Sequence, residues 1–421
     1  MHSMWLRWKS SVAEVFRGFW PEIIICGLLA VLVAAISYQI SGLNSPPVMD
    51  GIWFQADPVR VLGDMTDRLG NHYRINVHPL FVLLTHPLVT LLRSLTGASA
   101  VTAARLLIAF FAGVWIVLVF SLFRLLGCRR LDATIFALLG VVSASALFWI
   151  GLIETYLLGS ISILLAILAV GLTSPGKSLW ITLASAFSLS VTVTNWMAGL
   201  LATAVSFSWK RACVLVATAL CLVVVFWGVE KFFYPQCPFF LSPSSEKSYI
   251  NNPLSGGPIT SIKAFVFHTM VMPRIRPFED MKSKWRWCGY IRIQVDRPGA
   301  GSGLGTVAAA LWIVLLGIGL WGLVTKKERV KLRLVLAGTL LGQMALHSIY
   351  GEETFLYSLH FAPLLLGVAA MGVQTRLRPF VLALAAGLIL TAGANNFSQL
   401  SKAINLDRRI YESVHPINPS P

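Results

Sequence analysis

Long apolar runs without charged residues limit what this 421-residue chain can fold into more than any other feature of its sequence. Residues 23–40 and 106–123 contain no Asp, Glu, Lys or Arg, and each is close to the ~20 residues that cross the hydrocarbon core of a bilayer as a helix. The chain is 56% hydrophobic and 12% charged, which leaves more apolar surface than a soluble core of this length can bury. We therefore predict an all-α polytopic membrane protein. Its first apolar run is expected to stay as an anchor, because it lacks the short apolar core and small-residue exit of a cleaved signal peptide.

The hydrophobic pattern predicts about eleven transmembrane helices in a single integral membrane domain, residues 1–421. Their predicted ranges are 21–43, 101–126, 132–152, 155–172, 178–194, 196–208, 212–231, 304–325, 331–350, 356–373 and 378–394. The sixth range is too short to cross the bilayer alone. The fifth and sixth are therefore predicted to form either two spans or one hairpin bent near Asn195.

Basic residues indicate which connections face the cytoplasm, because short cytoplasmic loops are enriched in Lys and Arg. These residues occur before the first span and then in every second connection, at 129–130, 177, 210–211, 326–333 and 376–378. The intervening short turns around 154, 195 and 351–354 contain neither Lys nor Arg. The alternation predicts a cytoplasmic N-terminus. It also predicts that three segments lie on the outer face: the long loops 44–100 and 232–303, and a C-terminal tail, 395–421.

Two apolar stretches within the outer loops are predicted to be juxtamembrane helices. Counting residues 78–95 as a span would invert every later loop, so we predict a helix there that begins at Pro79 and is kinked by Pro87. Residues 259–272 are too short to span and are predicted to lie against the outer leaflet. In the leader, aromatic and aliphatic residues at helical spacing alternate with basic ones, which predicts an interfacial helix.

The formal charge of +16 does not indicate nucleic-acid binding, because the 34 Lys and Arg are distributed between hydrophobic spans. The six cysteines show no metal-ligand spacing and no glycine loop follows a strand, so we predict neither a metal nor another cofactor. Cys237 and Cys288 share the second outer loop and form either a disulfide or two free thiols. Asn396 begins an Asn-Phe-Ser glycosylation pattern.

Two aspartates follow the first span. Asp50 lies at the lipid boundary beside Gly51 and two aromatic residues, where partial desolvation would raise its proton affinity. It is our candidate catalytic base for a sugar hydroxyl, and a solvated loop aspartate is the alternative. Asp57 precedes Pro58, which favours an N-cap of the helix that follows, and it is also a candidate for substrate binding.

Two glutamates in outer turns are further catalytic candidates. Glu154 separates the third and fourth spans, and Glu353 follows Gly351, which is predicted to end a helix. Either carboxylate can face a cleft or stabilise the N-terminus of the next helix. Glu353, Tyr357 and His360 are spaced by four and three residues, so they share one helical face. Polar groups inside a membrane usually face a cavity or the bundle interior, so Tyr357 and His360 are predicted to bind substrate, and a hydrogen-bonded core histidine is the alternative for His360.

Cationic side chains on the outer face are candidates for binding an anionic leaving group. Those predicted to bind substrate are Arg74, His78, Arg105, Arg274 and Arg276. Arg105 stands out because it lies among apolar residues near the outer end of the second span. Further cations of the second loop, for which headgroup contact is the simpler role, are Lys247, His268, Arg286 and Arg292.

These features together resemble the GT-C superfamily of polyprenyl-phosphate-sugar-dependent glycosyltransferases, which includes the protein O-mannosyltransferases and the aminoarabinose transferases. The resemblance is carried by Asp50 after the first span, His78-Pro79 before the second, Ala-Arg-Leu at 104–106 and Arg-Leu-Leu-Gly at 124–127. There are departures from the family pattern. Only one proline follows His78, the paired acidic motif is stretched to Asp50 and Asp57, and the predicted tail is too short for a sizeable soluble domain.

The resemblance implies a GT-C fold and transfer of a sugar from a polyprenyl-phosphate carrier to a hydroxyl of a glycan, lipid or protein acceptor. Asp50 would act as the base with inversion, and Arg105 with Arg74 or Arg276 would stabilise the leaving phosphate, assisted by His360. The outer compartment can be the periplasm, the cell exterior or the lumen of the endoplasmic reticulum; in a bacterium, which we favour, the membrane is the inner membrane and the site faces the periplasm. The alternatives are an O-antigen ligase or polymerase, which would use a pyrophosphate-linked glycan, and a membrane transporter, which is expected to show internal repeats.

Overall fold

The computed structural model describes residues 2–43, 50–172, 178–240, 247, 249–278 and 290–414, with side chains from residue 20 to residue 412. Lys177, Arg286 and Cys288 lie outside these ranges, as do residues 415–421 of the predicted tail. Cys237 is a buried free thiol. All eleven predicted spans coincide with helical segments of the described chain.

The α-helices are α1 (His2–Leu43), α2 (Pro58–Thr66), α3 (Phe81–Thr96), α4 (Ala100–Leu126), α5 (Arg130–Val141), α6 (Ala144–Trp149), α7 (Tyr156–Leu172), α8 (Leu179–Val191), α9 (Trp196–Ser206), α10 (Trp209–Phe233), α11 (Pro258–Lys263), α12 (Gly303–Thr325), α13 (Val330–Ile349), α14 (Ser358–Ala370) and α15 (Arg378–Val414). Short 3-10 helices cover Tyr73–Asn76, Val193–Asn195, Pro253–Ser255, Thr354–Tyr357 and Met371–Gln374, and a π-helical turn covers Ala264–His268. Strands β1 (Pro277–Phe278) and β2 (Tyr290–Ile291) pair antiparallel, with Pro277 opposite Ile291 and Phe278 opposite Tyr290.

Seven segments among the described residues are long and apolar enough to cross a membrane. They are Trp20–Leu43, Ala100–Leu126, Trp209–Phe233, Gly303–Thr325, Val330–Ile349, Thr354–Gln374 and Arg378–Glu412. The chain is therefore an all-α polytopic membrane protein, which confirms the predicted fold class. The other four predicted spans correspond to shorter helices, namely α5 with α6, α7, α8 and α9. Helix α1 extends the first span back to His2, so the leader is helical, and its position in the interface stays a prediction.

Capping explains why the third predicted span is broken. The main-chain N–H of Ala146 donates to Ser143 Oγ, and this hydroxyl donates to the carbonyl of Gly140. These bonds end α5 and begin α6 at Ser143. Helices α8 and α9 pack against each other and are joined by the 3-10 turn at Val193–Asn195, which is the predicted hairpin bent near Asn195.

Ion pairs join several connections that the charge pattern assigns to the cytoplasm. Glu22 Oε1 lies 3.1 Å from Arg124 Nη2 and 2.7 Å from Arg130 Nε. The buried Asp132 Oδ1 lies 2.6 Å from Arg378 Nη2. The middle of α1, where the first predicted span begins, therefore lies together with the connection from α4 to α5 and the start of α15 at one end of the bundle.

The juxtamembrane helix of the first outer loop begins later than predicted. Helix α3 starts at Phe81, so Pro79 precedes the helix instead of occupying its first position. The buried Glu230 carboxylate on α10 accepts a hydrogen bond from the main-chain N–H of Leu83 at 3.0 Å. An acceptor there satisfies one of the free N–H groups at the helix N-terminus and so stabilises this starting point. Pro87 lies inside the helix, which continues through it.

The short helix of the second outer loop packs inside the bundle. Helix α11 continues into the π-helical turn at Ala264–His268, where Phe265 is fully buried. The Phe265 ring stacks on Phe361 of α14 with centroids 3.7 Å apart. The later apolar side chains of this stretch therefore contact another helix, whereas Ile259 at its start is 85% exposed, and its contact with the outer leaflet stays a prediction.

The segment predicted as an outer tail is helical as far as Val414, because α15 continues beyond the predicted end of the last span. Within it, Asn396 Oδ1 accepts a hydrogen bond from the Met272 N–H at 2.8 Å. Its Nδ2 donates to the carbonyls of Val142 and Met270 at 2.9 and 2.8 Å. Asn396 is fully buried, so its amide bridges backbone segments and is not accessible to glycosylation in the folded protein.

Asn396→Ala is expected to lower the free energy of unfolding by about 3 kcal/mol or more, since each buried polar group left without a partner costs ~1–3 kcal/mol. Thermal unfolding of the purified protein in detergent, followed by circular dichroism, measures the change. Ser398→Ala is the matched control, because it removes the same glycosylation pattern at an exposed position. A large shift with Ser398→Ala, or none with Asn396→Ala, would contradict the bridging role.

Candidate active site

A cavity of about 500 Å³ lies at the end of the bundle away from the Glu22 and Asp132 ion pairs. Its lining comes from helix ends and connections that are distant in sequence, namely 51–78, 156, 192–194, 249–254, 290 and 346–360. All of these are predicted to face outward. Among the described residues, no group of three or more His, Cys, Asp and Glu is arranged to hold a metal ion.

One part of the lining, which we call the charged wall, consists of Asp57, Arg60, Arg74 and His78 of the first outer loop. Arg60 Nε lies 3.4 Å from Asp57 Oδ2. His78 Nδ1 lies 3.0 Å from the Val191 carbonyl oxygen, so this nitrogen carries the proton and donates. Burial lowers the pKa of His78 well below its usual value, which keeps the ring neutral.

Arg60 also pairs with the buried carboxylate of Asp64. Its Nη1 lies 2.8 Å from Asp64 Oδ2, and Asp64 Oδ1 lies 2.8 Å from His72 Nδ1. Both Asp64 and His72 are buried. The guanidinium therefore bridges a carboxylate of the cavity, Asp57, and one of the interior, and these charge-assisted bonds fix its orientation.

A second part of the lining, the aromatic wall, contains five of the nine tyrosines of the chain. They are Tyr156, Tyr249, Tyr290, Tyr350 and Tyr357. Tyr156 and Tyr357 pack edge to face with ring centroids 5.9 Å apart. The cavity thus combines a cluster of charged side chains with a surface of amphipathic rings.

Two buried histidines, His347 and His360, also line the cavity. The His347 ring stacks on Tyr357 with centroids 4.4 Å apart, and its Nε2 lies 3.1 Å from Gln343 Oε1. Gly159 provides the space for His360, because a Cβ at this position would collide with the His360 Nε2 atom. Within the described part of the chain that Nε2 has no hydrogen-bond partner, and it is buried against Gly159.

Asp57 does not take the capping role that the sequence predicts, and Asp50 takes it instead, while the prediction of Asp50 as a catalytic base stays a prediction. Asp50 Oδ1 accepts hydrogen bonds from the N–H groups of Val59, at 2.8 Å, and Arg60, at 3.5 Å, so Asp50 caps α2. Asp57 occupies the N-cap position but makes no side-chain capping bond, and it lines the cavity instead. Desolvation raises the pKa of Asp50, as expected at the lipid boundary. The prediction that Asp57 caps the helix is wrong.

A left-handed turn explains why Asp50, and not Asp57, caps α2. Phe54 and Gln55 have φ values of 51° and 66°, which non-glycine residues rarely adopt. The Gly51 N–H donates to the Ala56 carbonyl at 2.7 Å and closes the turn. Phe54 and its neighbour Trp53 are fully buried, and this packing holds the strained backbone. The chain therefore reverses, and Asp50 returns to the first N–H groups of α2.

Glu154 is buried, and its carboxyl group contacts the main chain of Asp57. Glu154 Oε1 accepts the Asp57 N–H at 2.6 Å, and Oε2 accepts the Thr155 N–H at 2.9 Å. Burial raises the pKa of Glu154 to about 7. Glu154 does not line the cavity, so the structure gives it a role in positioning Asp57.

Glu353 points away from the cavity. Its Oε2 accepts the N–H groups of Ile293 and Gln294, each at 3.0 Å, and the residue is buried. Glu353 has an extended backbone, with φ −128° and ψ 101°, before the following 3-10 turn begins. Tyr357 and His360 therefore both line the cavity, as their predicted common face requires, whereas Glu353 does not.

Three of the predicted phosphate-binding cations do not line the cavity. Arg105 Nη2 donates to the Tyr38 carbonyl at 3.1 Å, and its guanidinium lies 4.5 Å from the Tyr38 ring, so it ties α4 to α1. Arg276 Nη2 lies 2.7 Å from Asp296 Oδ1. Arg274 is exposed. Of the predicted cations, the cavity contains Arg74 and His78.

Several lining residues were not among the sequence candidates. Arg60 lies three residues after Asp57 and four before Asp64, a spacing that puts all three on one face of a helix. This pattern was available in the sequence and indicates an ion-paired cation. Tyr249 falls in a predicted outer loop and Tyr350 at the end of a predicted span, but a single tyrosine carries no signal until the fold brings several together.

No protein-family model matches the chain, and no curated protein sequence matches it. The structure is similar to the crystal structure of the Archaeoglobus fulgidus oligosaccharyltransferase in the apo form, with 12% sequence identity and a TM-score of 0.47. The superposition covers 92% of this chain and 56% of that one, so this chain spans about half the length of that protein. At this identity and score, the likeness carries no conclusion about activity.

The buried Glu353 carboxyl predicts a pH-dependent stability. Burial raises its pKa from 4.5 to about 7, so between these values the folded protein binds the proton more tightly than the unfolded chain. The contribution of this group to the free energy of unfolding is therefore highest below pH 4.5 and is lost as the pH rises towards 7. Glu353→Gln keeps an oxygen acceptor for the two N–H groups, so it should flatten this decline.

Thermal melts between pH 4.5 and 7 measure the effect of Glu353→Gln. Glu328→Gln, at an exposed position, is the control and should keep the wild-type dependence. An unchanged slope in Glu353→Gln would show that this carboxyl does not titrate on unfolding.

Proposed function

We propose that this protein is a membrane glycosyltransferase that moves a sugar from a polyprenyl-phosphate carrier to a hydroxyl group of an outer-face acceptor. The proposal is carried by the convergence of a carboxylate, Asp57, and two guanidinium groups, Arg60 and Arg74, in one cavity. Such a transfer needs a proton acceptor for the attacking hydroxyl and positive charge for the departing phosphate. A volume of about 500 Å³ is within the range of small-molecule sites.

The donor phosphate is assigned to Arg60 and Arg74. A guanidinium group can bind two phosphate oxygens with parallel N–H donors and stays charged when partly desolvated. Arg60 is already fixed by Asp64, so little reorganisation is needed when charge develops on the leaving group. Because His78 donates through Nδ1, its neutral Nε2 can accept a hydrogen bond from a sugar hydroxyl.

Asp57 is assigned as the general base, in place of Asp50. In the proposed step, the acceptor oxygen attacks the anomeric carbon and its proton passes to the Asp57 carboxylate. The bond from that carbon to the phosphate oxygen breaks, polyprenyl phosphate leaves with the electron pair, and the anomeric configuration inverts. Glu154 supports this geometry because it holds the Asp57 main chain at 2.6 Å.

We assign the reaction to the outer face of the membrane, which in a bacterium is the periplasmic face of the inner membrane. The assignment is supported by the charge pattern, since the cavity lies at the end of the bundle away from the basic connections. The isoprenoid chain of the carrier can then remain in the bilayer while its phosphate reaches the cavity. The acceptor is a glycan, a lipid or a protein.

Asp57→Asn is expected to lower kcat by about 10²–10⁴-fold, the usual contribution of a general base. The measurement is transfer of radiolabelled sugar from a panel of synthetic polyprenyl-phosphate sugars by the purified protein. Asp50→Asn is the matched control, because asparagine keeps an oxygen that can cap α2 and the cavity lining stays intact.

The two aspartate variants separate the possible outcomes. If Asp50→Asn abolishes turnover at unchanged thermal stability while Asp57→Asn is active, the base is Asp50. If the wild-type protein neither binds nor turns over any donor in the panel, the glycosyltransferase proposal fails.

Arg74→Gln is expected to lower kcat/KM for the donor by about 10²-fold, because it removes a cation from the cavity lining. Arg276→Gln, which removes an exposed arginine outside the cavity lining, should retain wild-type activity in the same assay. Equal losses in both variants would indicate that net surface charge, and not the cavity, governs donor use.

A further inference from the structure

Four tyrosines of the aromatic wall form a path from the surface into the cavity. Tyr249 is 38% exposed, and its ring centroid lies 5.9 Å from that of Tyr350. Tyr350 lies 6.1 Å from Tyr357, and Tyr357 lies 5.9 Å from Tyr156, which is 9% exposed. An extended ligand can therefore contact successive rings between the outer surface and the buried part of the cavity.

The backbone holds the outer part of this path in place. The Gly351 N–H donates to the Tyr249 carbonyl at 2.9 Å, and Ile250 forms an antiparallel bridge with Tyr350. These bonds tie the second outer loop to the end of α13. The two outermost rings are therefore preorganised, which reduces the entropy lost when a ligand binds.

The chemistry of the wall suits an uncharged carbohydrate. A sugar ring has C–H faces that pack on aromatic rings and hydroxyl groups that exchange hydrogen bonds with tyrosine hydroxyls. Glu352 lies in the same lining, where Asn252 Nδ2 donates to it at 3.0 Å, and its negative charge disfavours an anionic ligand. An alkyl chain offers no hydrogen-bonding groups to the polar side chains that line this part of the cavity, whereas a sugar does.

We infer that the path from Tyr249 to Tyr156 is an acceptor subsite for a neutral oligosaccharide. This inference rests on the proposed glycosyltransferase function and names its acceptor class. With the donor at the charged wall, a terminal hydroxyl of the oligosaccharide reaches Asp57, and the preceding sugar units stack along Tyr357, Tyr350 and Tyr249. The acceptor is thus a glycan and not a lipid or a protein.

Binding of neutral tetrasaccharides tests the subsite without requiring catalysis. The full-length protein in lipid nanodiscs is titrated with tetrasaccharides of glucose, mannose, galactose or N-acetylglucosamine, and binding is followed by isothermal calorimetry. At least one should bind, and Tyr249→Ala and Tyr350→Ala should each weaken it by about tenfold. Tyr350→Phe keeps the ring and should lose less. Phe232→Ala is the control, since this aromatic residue of α10 is 79% exposed and does not line the cavity.

Three results would overturn the inference: no tetrasaccharide binds, the tyrosine variants bind as tightly as the wild type, or an acidic tetrasaccharide or serine-rich peptide binds in preference. Binding of a polyprenyl-phosphate sugar is measured on the same samples. It distinguishes failure of the acceptor subsite from failure of the proposed glycosyltransferase function. Donor binding without glycan binding removes the acceptor subsite alone. Tyrosine-dependent glycan binding without donor binding supports the subsite and contradicts the transferase.

Discussion

The hydrogen bond from the Asp57 N–H to the buried Glu154 carboxylate is the constraint on which the cavity depends. It joins the first outer loop to the connection between α6 and α7 at 2.6 Å. A buried carboxylate is costly unless its oxygens accept hydrogen bonds, and each Glu154 oxygen accepts one main-chain N–H. Breaking the Asp57–Glu154 hydrogen bond would leave a buried oxygen of Glu154 without a donor, so the first outer loop stays against the helices. Arg60, one turn further along, enters the cavity because Asp57 is fixed.

The same loop shows how a membrane protein builds an irregular site at a helix end. In lipid, backbone groups must be satisfied internally, so departures from the helix concentrate where water or protein can satisfy them. Here the turn at Phe54 and Gln55 closes on its own backbone, and Asp50 satisfies the start of α2. Both solutions use residues of the short segment 50–60 that follows the first span. Charged side chains beyond them are then free to line the cavity.

The all-α membrane fold and the grouping of the outer connections followed from the sequence, because lipid fixes the length and polarity of a crossing helix. The roles of Asp50 and Asp57 did not. They depend on left-handed backbone at Phe54 and Gln55, and neither residue type signals that conformation. The break at Ser143 has a similar origin. Asn396, distant in sequence, stabilises it by donating to the Val142 carbonyl, and hydrophobic periodicity carries no information on such pairings.

Arg60 connects binding of the donor phosphate with proton transfer to Asp57 in the proposed reaction. In the structure it lies between Asp57, at 3.4 Å, and the buried Asp64, at 2.8 Å. A donor phosphate would compete with Asp57 for this guanidinium, because both are anions that approach it from the cavity. Asp64 keeps its contact, since it is also bonded to His72 and shielded from water. Donor binding would then weaken the longer Asp57 contact and leave that carboxylate to accept the proton of the attacking hydroxyl. A lysine at this position would retain the charge but not the planar fork that can serve an interior carboxylate and a phosphate together.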